Sequence, residues 1–142
     1  MGLTVRPVDV NYVAQTWPLV KSFLEPALHS LESSGDDECY NIDQVQSFIS
    51  SGSWLLLVFI DESGIIHGAA TISFINYPKQ RVAFITLLGG RLVVNTNTID
   101  QIKDVCRMYG ATYLQAYATG AKVRLWGKYG MKPNATVMSM QL

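Results

Sequence analysis

"SWLLLVFIDESGIIHGAATISFINYPKQRVAFITLL", residues 53–88, holds three apolar runs parted by two short polar breaks. The first run, 53–60, is continuous and of strand length. "DESG" (61–64) reads as a turn in which Gly64 is free to take positive φ. "IIHGAATISFINY" (65–77) is the returning strand, and "RVAFITLL" (81–88), reached through "PKQ", is a third. Runs this apolar need cover on both faces. The stretch predicts three adjacent central strands of an antiparallel meander.

Upstream, "LTVRPV" (3–8) reads as a short strand, and Pro7 confines it to an edge or a strand terminus. Residues 12–32 place Val13, Trp17, Val20, Phe23, Leu24, Leu28 and Leu31 at helical spacing, but Pro18 and Pro26 argue against one straight helix. Two shorter pieces, or a start with Pro18 as first helical residue, are expected. "ESSGDDECYN" (32–41) is a polar loop. "NIDQVQSFISSG" then offers Ile42, Val45, Phe48 and Ile49 on one face of a short helix.

Downstream the period changes to that of a helix. "TIDQIKDVCRMYG" (98–110) carries Ile99, Ile102, Val105, Cys106 and Tyr109 on one face and ends at Gly110. Thr98 with Gln101 reads as a capping box. "TYLQAYA" (112–118) is a strand, "GAKVRLWGKYG" a helix ending at Gly130, and "ATVMSMQL" (135–142) a final strand. The order β, α, α, β, β, β, α, β, α, β predicts one α/β (α+β) domain over 1–142. Its central sheet is mixed and mostly antiparallel, with helices on both faces.

Hydrophobic residues make up 49% of the 142 and charged residues 15%, which excludes a disordered chain. Eleven basic residues balance eleven acidic ones, so no global field draws the protein to nucleic acid. Locally the charge is uneven. Residues 25–62 carry eight acidic side chains and no Lys or Arg, whereas 121–132 carry Lys122, Arg124, Lys128 and Lys132 and no acid. Four basic residues on a neutral domain argue against nucleic-acid binding there. No apolar run reaches the ~18 residues of a membrane span, and the N-terminus lacks a signal-peptide layout. Two cysteines, Cys39 and Cys106, are too few for a disulfide framework and suit a reducing, cytoplasmic compartment.

The element order resembles that of the GCN5-related N-acetyltransferases, which move an acetyl group from acetyl-coenzyme A to an amine. The motif resemblance lies within residues 84–131. In "VRLWGKYGM", Arg124, Leu125 and Gly130 match the family's Ala-Arg-x-Leu-Tyr-x-x-x-Gly-Phe helix end, with Trp126 for the tyrosine and Met131 for the phenylalanine. The coenzyme loop, Gln/Arg-x-x-Gly-x-Gly/Ala in the family, falls on "RLVVNT" (91–96). Arg91 fits, but Val94 and Thr96 replace the glycines that let backbone N–H groups close on a pyrophosphate. Gly89 and Gly90 supply a displaced loop or mark a strand bulge.

The resemblance implies a GNAT-like fold with acetyl-coenzyme A held by Leu87 and Leu88 through the pantetheine, and by Arg91, Val94, Thr96, Lys122 and Arg124 near the phosphates. It implies an amine acceptor, a small molecule or a protein, between the acidic loop Asp36, Asp37, Glu38 and the strand with Phe84 and Thr86, beside Trp126. Strand 81–88 lacks the family's carboxylate base, and Trp126 cannot ionise, which leaves Tyr129 as candidate proton donor.

Each of these residues has a plainer role beside the sharper one. Lys122 and Arg124 equally suit a solvated helix face, Trp126 and Cys106 a core, and His67 and His29 structural positions with no metal at their spacing. The departures also resemble degenerate relatives encoded by tailed bacteriophages, which implies an alternative: a non-catalytic binding or structural module. The long apolar strands leave room for a homodimer edge.

Overall fold

Asp61 builds the first hairpin. Its Oδ1 accepts the N–H of Ser63 at 2.8 Å and of Ile65 at 3.0 Å, and Gly64 takes φ +83 to close the turn. The computed structural model describes residues 2–32, 40–118 and 120–142. In chain order they form β1 (Thr4–Val8), a 3-10 turn (Val10–Tyr12), α1 (Val13–Glu32), α2 (Ile42–Ser50), β2 (Trp54–Ile60), β3 (Ile66–Asn76), β4 (Arg81–Gly90), α3 (Thr96–Met108), β5 (Tyr113–Ala116) and α4 (Ala121–Lys128). The sheet order is β1-β2-β3-β4-β5, antiparallel except for the parallel β4–β5 pair. The expected meander is β2-β3-β4, and β1 with its Pro7 lies at an edge.

Alternation along β2 assigns the two faces. Leu57 and Phe59 join Ala70, Ile72, Ala83 and Ile85 beneath α3 and Trp126. Leu56 and Val58 join Ala69 and Leu87 beneath α1 and α2. Helices cover both faces, as the apolar runs require.

Four expectations are corrected. Residues 13–32 form one helix despite Pro18 and Pro26. An interior proline costs about 3 kcal/mol, but Val13, Trp17, Val20, Leu24 and Leu28 are all buried on one face. At roughly 1.5–3 kcal/mol each, that burial outweighs both prolines.

The third helix starts two residues before Thr98. Asn95 caps it, accepting the Thr98 N–H at 2.9 Å, and Thr98 Oγ1 accepts the Asn95 N–H at 3.0 Å. Asparagine is at least as good a cap as threonine, and Gln101 is employed elsewhere. Its Oε1 accepts the Val5 N–H at 2.8 Å and its Nε2 donates to the Leu3 carbonyl at 2.9 Å, pinning β1 to α3.

Gly89 and Gly90 form neither a loop nor a bulge; they pair with Ala69 and Gly68 inside the ladder. A Cβ on Gly89 would lie 1.9 Å from the Phe23 carbonyl oxygen, so this glycine lets the α1 backbone rest directly on β4.

The strand expected at 135–142 is not formed; residues 131–142 have no regular structure and 132–142 are exposed. A strand needs a ladder partner, and the segment has none in its own sheet.

Candidate active site: a cleft between β4 and β5

β4 and β5 run side by side only from Val82↔Tyr113 to Ile85↔Ala116. One residue later β4 bulges. Ile72 faces Ile85 while Thr71 faces Leu87, so Thr86 is the extra residue. A bulge bends its strand and sharpens the local twist. The bulge is held by a hydroxyl pair: Thr71 Oγ1 and Thr86 Oγ1 are 2.6 Å apart, and Thr86 Oγ1 donates to the Thr71 carbonyl at 3.0 Å. Thr71 is fully buried, so this pairing satisfies a hydroxyl that would be costly alone. Beyond Ile85, β4 follows β3 alone, and among the described residues no strand lies beside its other backbone edge.

The opening is a cleft of about 380 Å³. Thr86, Leu87 and Leu88 line it from β4, Val94 from the β4–α3 loop, and Ala116 and Tyr117 from the end of β5. Lys122, Leu125 and Trp126 close it from α4. Their spacing, i, i+3 and i+4, is one helix face. Trp126 is 8% exposed and belongs both to the core and to the cleft wall, so its two readings merge. Among the described residues lining the cleft, Lys122 is the one charged side chain, and none is Asp, Glu, His or Cys.

The sequence-predicted residues divide accordingly. Leu87, Leu88, Val94, Thr86, Lys122 and Trp126 are brought together. Arg91 is exposed in the turn after β4, and Arg124 is exposed off the cleft face of α4. Thr96 and Tyr129 meet in a separate hollow of about 200 Å³ with Asp100, Lys103 and Lys128. There the Tyr129 hydroxyl donates to the Val94 carbonyl at 3.4 Å, tying the end of α4 to the loop before α3. Phe84 is half-buried, its ring edge-on to Tyr117 with centroids 4.7 Å apart. Asp36, Asp37, Glu38 and Cys39 lie outside the described residues, as does the side chain of His29.

The sequence reading missed Thr71, and it took Leu125 only as a motif match and not as a cleft residue. Thr71 was signalled by being a polar residue in an inward run, and Leu125 by its helical spacing from Lys122. It also missed the partner of His67. Asp61 Oδ2 lies 2.7 Å from His67 Nε2, and this hydrogen bond is the main cause holding the Asp61 carboxyl below its ordinary value. Cys106 is a core residue whose thiol is pushed up to about 11 by burial. Among the described residues no cluster of His, Cys, Asp or Glu could hold a metal, and no helix is long and apolar enough to cross a membrane.

At the end of β4 and in the loop after it the unusual backbone angles fall upstream of the expected glycine positions. Gly90 takes φ +129 and Leu92 φ +59, whereas Val94 and Thr96 do not take positive φ. Since Asn95 caps Thr98, the N–H groups of Thr96 and Asn97 at the start of α3 precede any intrahelical acceptor.

A mostly antiparallel sheet with helices on both faces, parted at a bulge beside a helix N-terminus, is the fold of the GCN5-related acetyltransferases. The likeness extends over the whole chain. An aminoglycoside acetyltransferase from an uncultured soil metagenomic sample superposes with a TM-score of 0.69 at 18% identity, covering 100% of this chain and 99% of that one. A predicted acetyltransferase from Clostridium acetobutylicum, crystallised with acetyl-CoA, gives 0.63 at 14% identity over 98% and 96%. Glucosamine-6-phosphate N-acetyltransferase from Arabidopsis thaliana gives 0.62 at 13% over 99% of both chains. No family model matches the sequence, and no curated protein matches it. What the likeness establishes is the fold.

Proposed function

We propose that the chain is an acyl-coenzyme A-dependent N-acetyltransferase acting on an amine, small molecule or protein. One observation carries this reading: β4 and β5 part at the Thr86 bulge and leave a strand edge open in a cleft. The residues present fit the coenzyme. The unpaired main-chain groups about Leu87–Leu88 and those of Ala116–Tyr117 suit a pantetheine arm, which carries amides of its own. Val94 does not need glycine's backbone angles here, and the Thr96 and Asn97 N–H groups suit an anion, with Lys122 on the cleft wall and Arg91 and Arg124 nearby in sequence.

Acetyl-coenzyme A, when bound, supplies an acetyl thioester that an amine nitrogen can attack. The chain's contribution is placement. Thr86 lines the wall where the acceptor would sit, and Phe84 lies edge-on to the cleft-lining Tyr117. Trp126 and Leu125 exclude water from the far side. With no carboxylate or histidine on the described cleft lining, the acceptor must arrive as the free base or lose its proton to solvent. Orienting an amine beside an activated acyl group by itself supplies much of the barrier reduction. Tyr129 is retained as the candidate proton donor to the departing thiolate, which requires its hydroxyl to leave the Val94 carbonyl.

That same hydrogen bond favours a second reading, a binding or structural module on this fold, of the kind tailed bacteriophages encode. Thermal denaturation with acetyl-coenzyme A tests the first reading. At 100 times Kd the ligand stabilises by about 2.7 kcal/mol, a shift of roughly 5–10 °C for a domain of this size. No shift at millimolar coenzyme, for the wild type and for a Val94→Gly/Thr96→Gly variant alike, overturns it. A shift without acyl transfer to any amine in a broad panel supports the second.

A further inference from the structure

Two threonines fix the polarity of the cleft wall at the bulge. A hydroxyl has one proton to give and two lone pairs with which to accept. Thr86 Oγ1 gives its proton to the Thr71 carbonyl at 3.0 Å. Thr71 is fully buried, and among the described residues Thr86 Oγ1, 2.6 Å away, is the one partner of its hydroxyl. The Thr71 proton therefore goes to Thr86, because a buried donor left unmade is costly. One lone pair of Thr86 remains, and Thr86 lines the cleft. At this point the wall accepts a hydrogen bond and has none to donate.

The surroundings of that lone pair are apolar. Leu87, Ala116, Leu125 and Trp126 line the same cleft, and Tyr117 stands there with Phe84 edge-on to it. The one charged side chain on the described lining, Lys122, is a cation. An ammonium entering here would exchange water for carbon and a single neutral oxygen, and burying a charge on those terms is expensive. A neutral N–H instead meets an acceptor that satisfies it. An ordinary alkylamine, with a pKa near the lysine value of ~10.4, is neutral in only about one molecule in 2,500 at pH 7. An amine borne on an aromatic ring shares its lone pair with the ring and is neutral at that pH.

We propose that the acceptor is an aromatic amine, held by an N–H bond to Thr86 Oγ1 with its ring beside Tyr117 and Phe84. The proposal rests on the acetyl-transfer reading above. The nitrogen lone pair bonds to the thioester carbon as the C–S bond breaks. The nitrogen proton passes to water, and the thiolate takes one in turn. The wall needs no base, because the lone pair is already free. Thr86 touches the reacting nitrogen, and Thr71 is the positioning residue that holds it.

Two probes of similar size, 4-methoxyaniline and benzylamine, test this with acetyl-coenzyme A. At pH 7 the aromatic amine is expected to show a kcat/KM at least about tenfold higher, level from about pH 6 to about pH 9, whereas that of benzylamine climbs about tenfold per pH unit. Thr86→Val is expected to lower kcat/KM for 4-methoxyaniline about tenfold with the KM for acetyl-coenzyme A unchanged, and Thr86→Ser, which keeps the oxygen, to recover most of it. Thr71→Val is expected to raise the KM for the aromatic amine alone. Far-ultraviolet circular dichroism checks that each variant folds. Binding is read separately with coenzyme A, which has no acetyl group to transfer: 4-methoxyaniline is expected to shift the Thr86 and Tyr117 amide resonances saturably. Preference for benzylamine at pH 7, no acetylation of either probe, unmoved Thr86 and Tyr117 amides, or a folded Thr86→Val chain as active as the wild type overturns the inference. If acetyl-coenzyme A still raises the Tm, the acetyl-transfer reading survives that result. A chain that binds no coenzyme overturns both.

Discussion

Gly89→Ala is the sharpest test of how the sheet and α1 are assembled. The added Cβ would lie 1.9 Å from the Phe23 carbonyl oxygen and 2.7 Å from its carbon, both backbone atoms of α1. Real contacts of this kind stay beyond 3.0 Å, so helix and strand must separate by about 1 Å or more. No flexible side chain can yield instead. Gly89 is not at positive φ, so the cost is steric and not conformational. Moving α1 loosens Val20 and Leu24, both fully buried, against Leu87 and Ala69. Overpacking of a tight core typically costs 1–3 kcal/mol, and a backbone-on-backbone clash belongs at or above the top of that range. We expect a loss of about 3 kcal/mol. That corresponds to a fall in Tm of roughly 6–12 °C and in the urea midpoint of roughly 1.5 M. Gly127→Ala is the control: it lies inside α4 with nothing within 4 Å, and should be neutral or stabilise by up to about 1 kcal/mol. Urea unfolding followed by tryptophan fluorescence measures both. A Gly89→Ala loss below about 0.5 kcal/mol would mean that α1 does not rest on β4 as described.

Gln101→Leu removes both side-chain bonds that pin β1 to α3 and leaves the Val5 N–H and Leu3 carbonyl without them. A loss of about 2 kcal/mol is expected, with β1 amides exchanging faster than those of β3. Asn95→Ala abolishes the cap on α3 and should cost about 1 kcal/mol in urea. Asp61 has its pKa lowered in the fold, chiefly by the His67 hydrogen bond. Its contribution to stability is therefore present above the ordinary value of 3.8 and fades as pH falls through the lower folded value. Asp61→Asn should flatten the wild-type loss of stability below pH 3.8, measured by urea midpoints at successive pH values.

Much of this fold is written locally. The meander follows from three apolar runs and the Asp61–Gly64 turn, and α3 from Ile99, Ile102, Val105 and Cys106, all buried as their spacing requires. What local pattern misses is settled by tertiary partners. Pro18 and Pro26 forecast a break that the five buried residues of α1 override. Gln101 looked like half of a capping box because its real partners, Leu3 and Val5, are nearly a hundred residues away. The alternation at 135–142 predicted a strand, but no residue of that segment joins the ladder. The site was legible where it rests on helical spacing and strand ends, as with Lys122, Trp126, Leu87 and Leu88. Thr86 was named, but the bulge that sets it against Thr71 was not legible, because a bulge is a mismatch between two strands and neither strand records it alone.

The account stands on the open edge of β4 beyond Ile85 being a place for a ligand. Backbone amide chemical shifts, followed by nuclear magnetic resonance as acetyl-coenzyme A is added to millimolar excess, address that edge atom by atom. The account predicts saturable shifts at Leu87, Leu88, Ala116 and Tyr117 and at the Thr96 and Asn97 amides opening α3. Unmoved resonances at all six, or saturable shifts confined to residues away from the cleft, would contradict it.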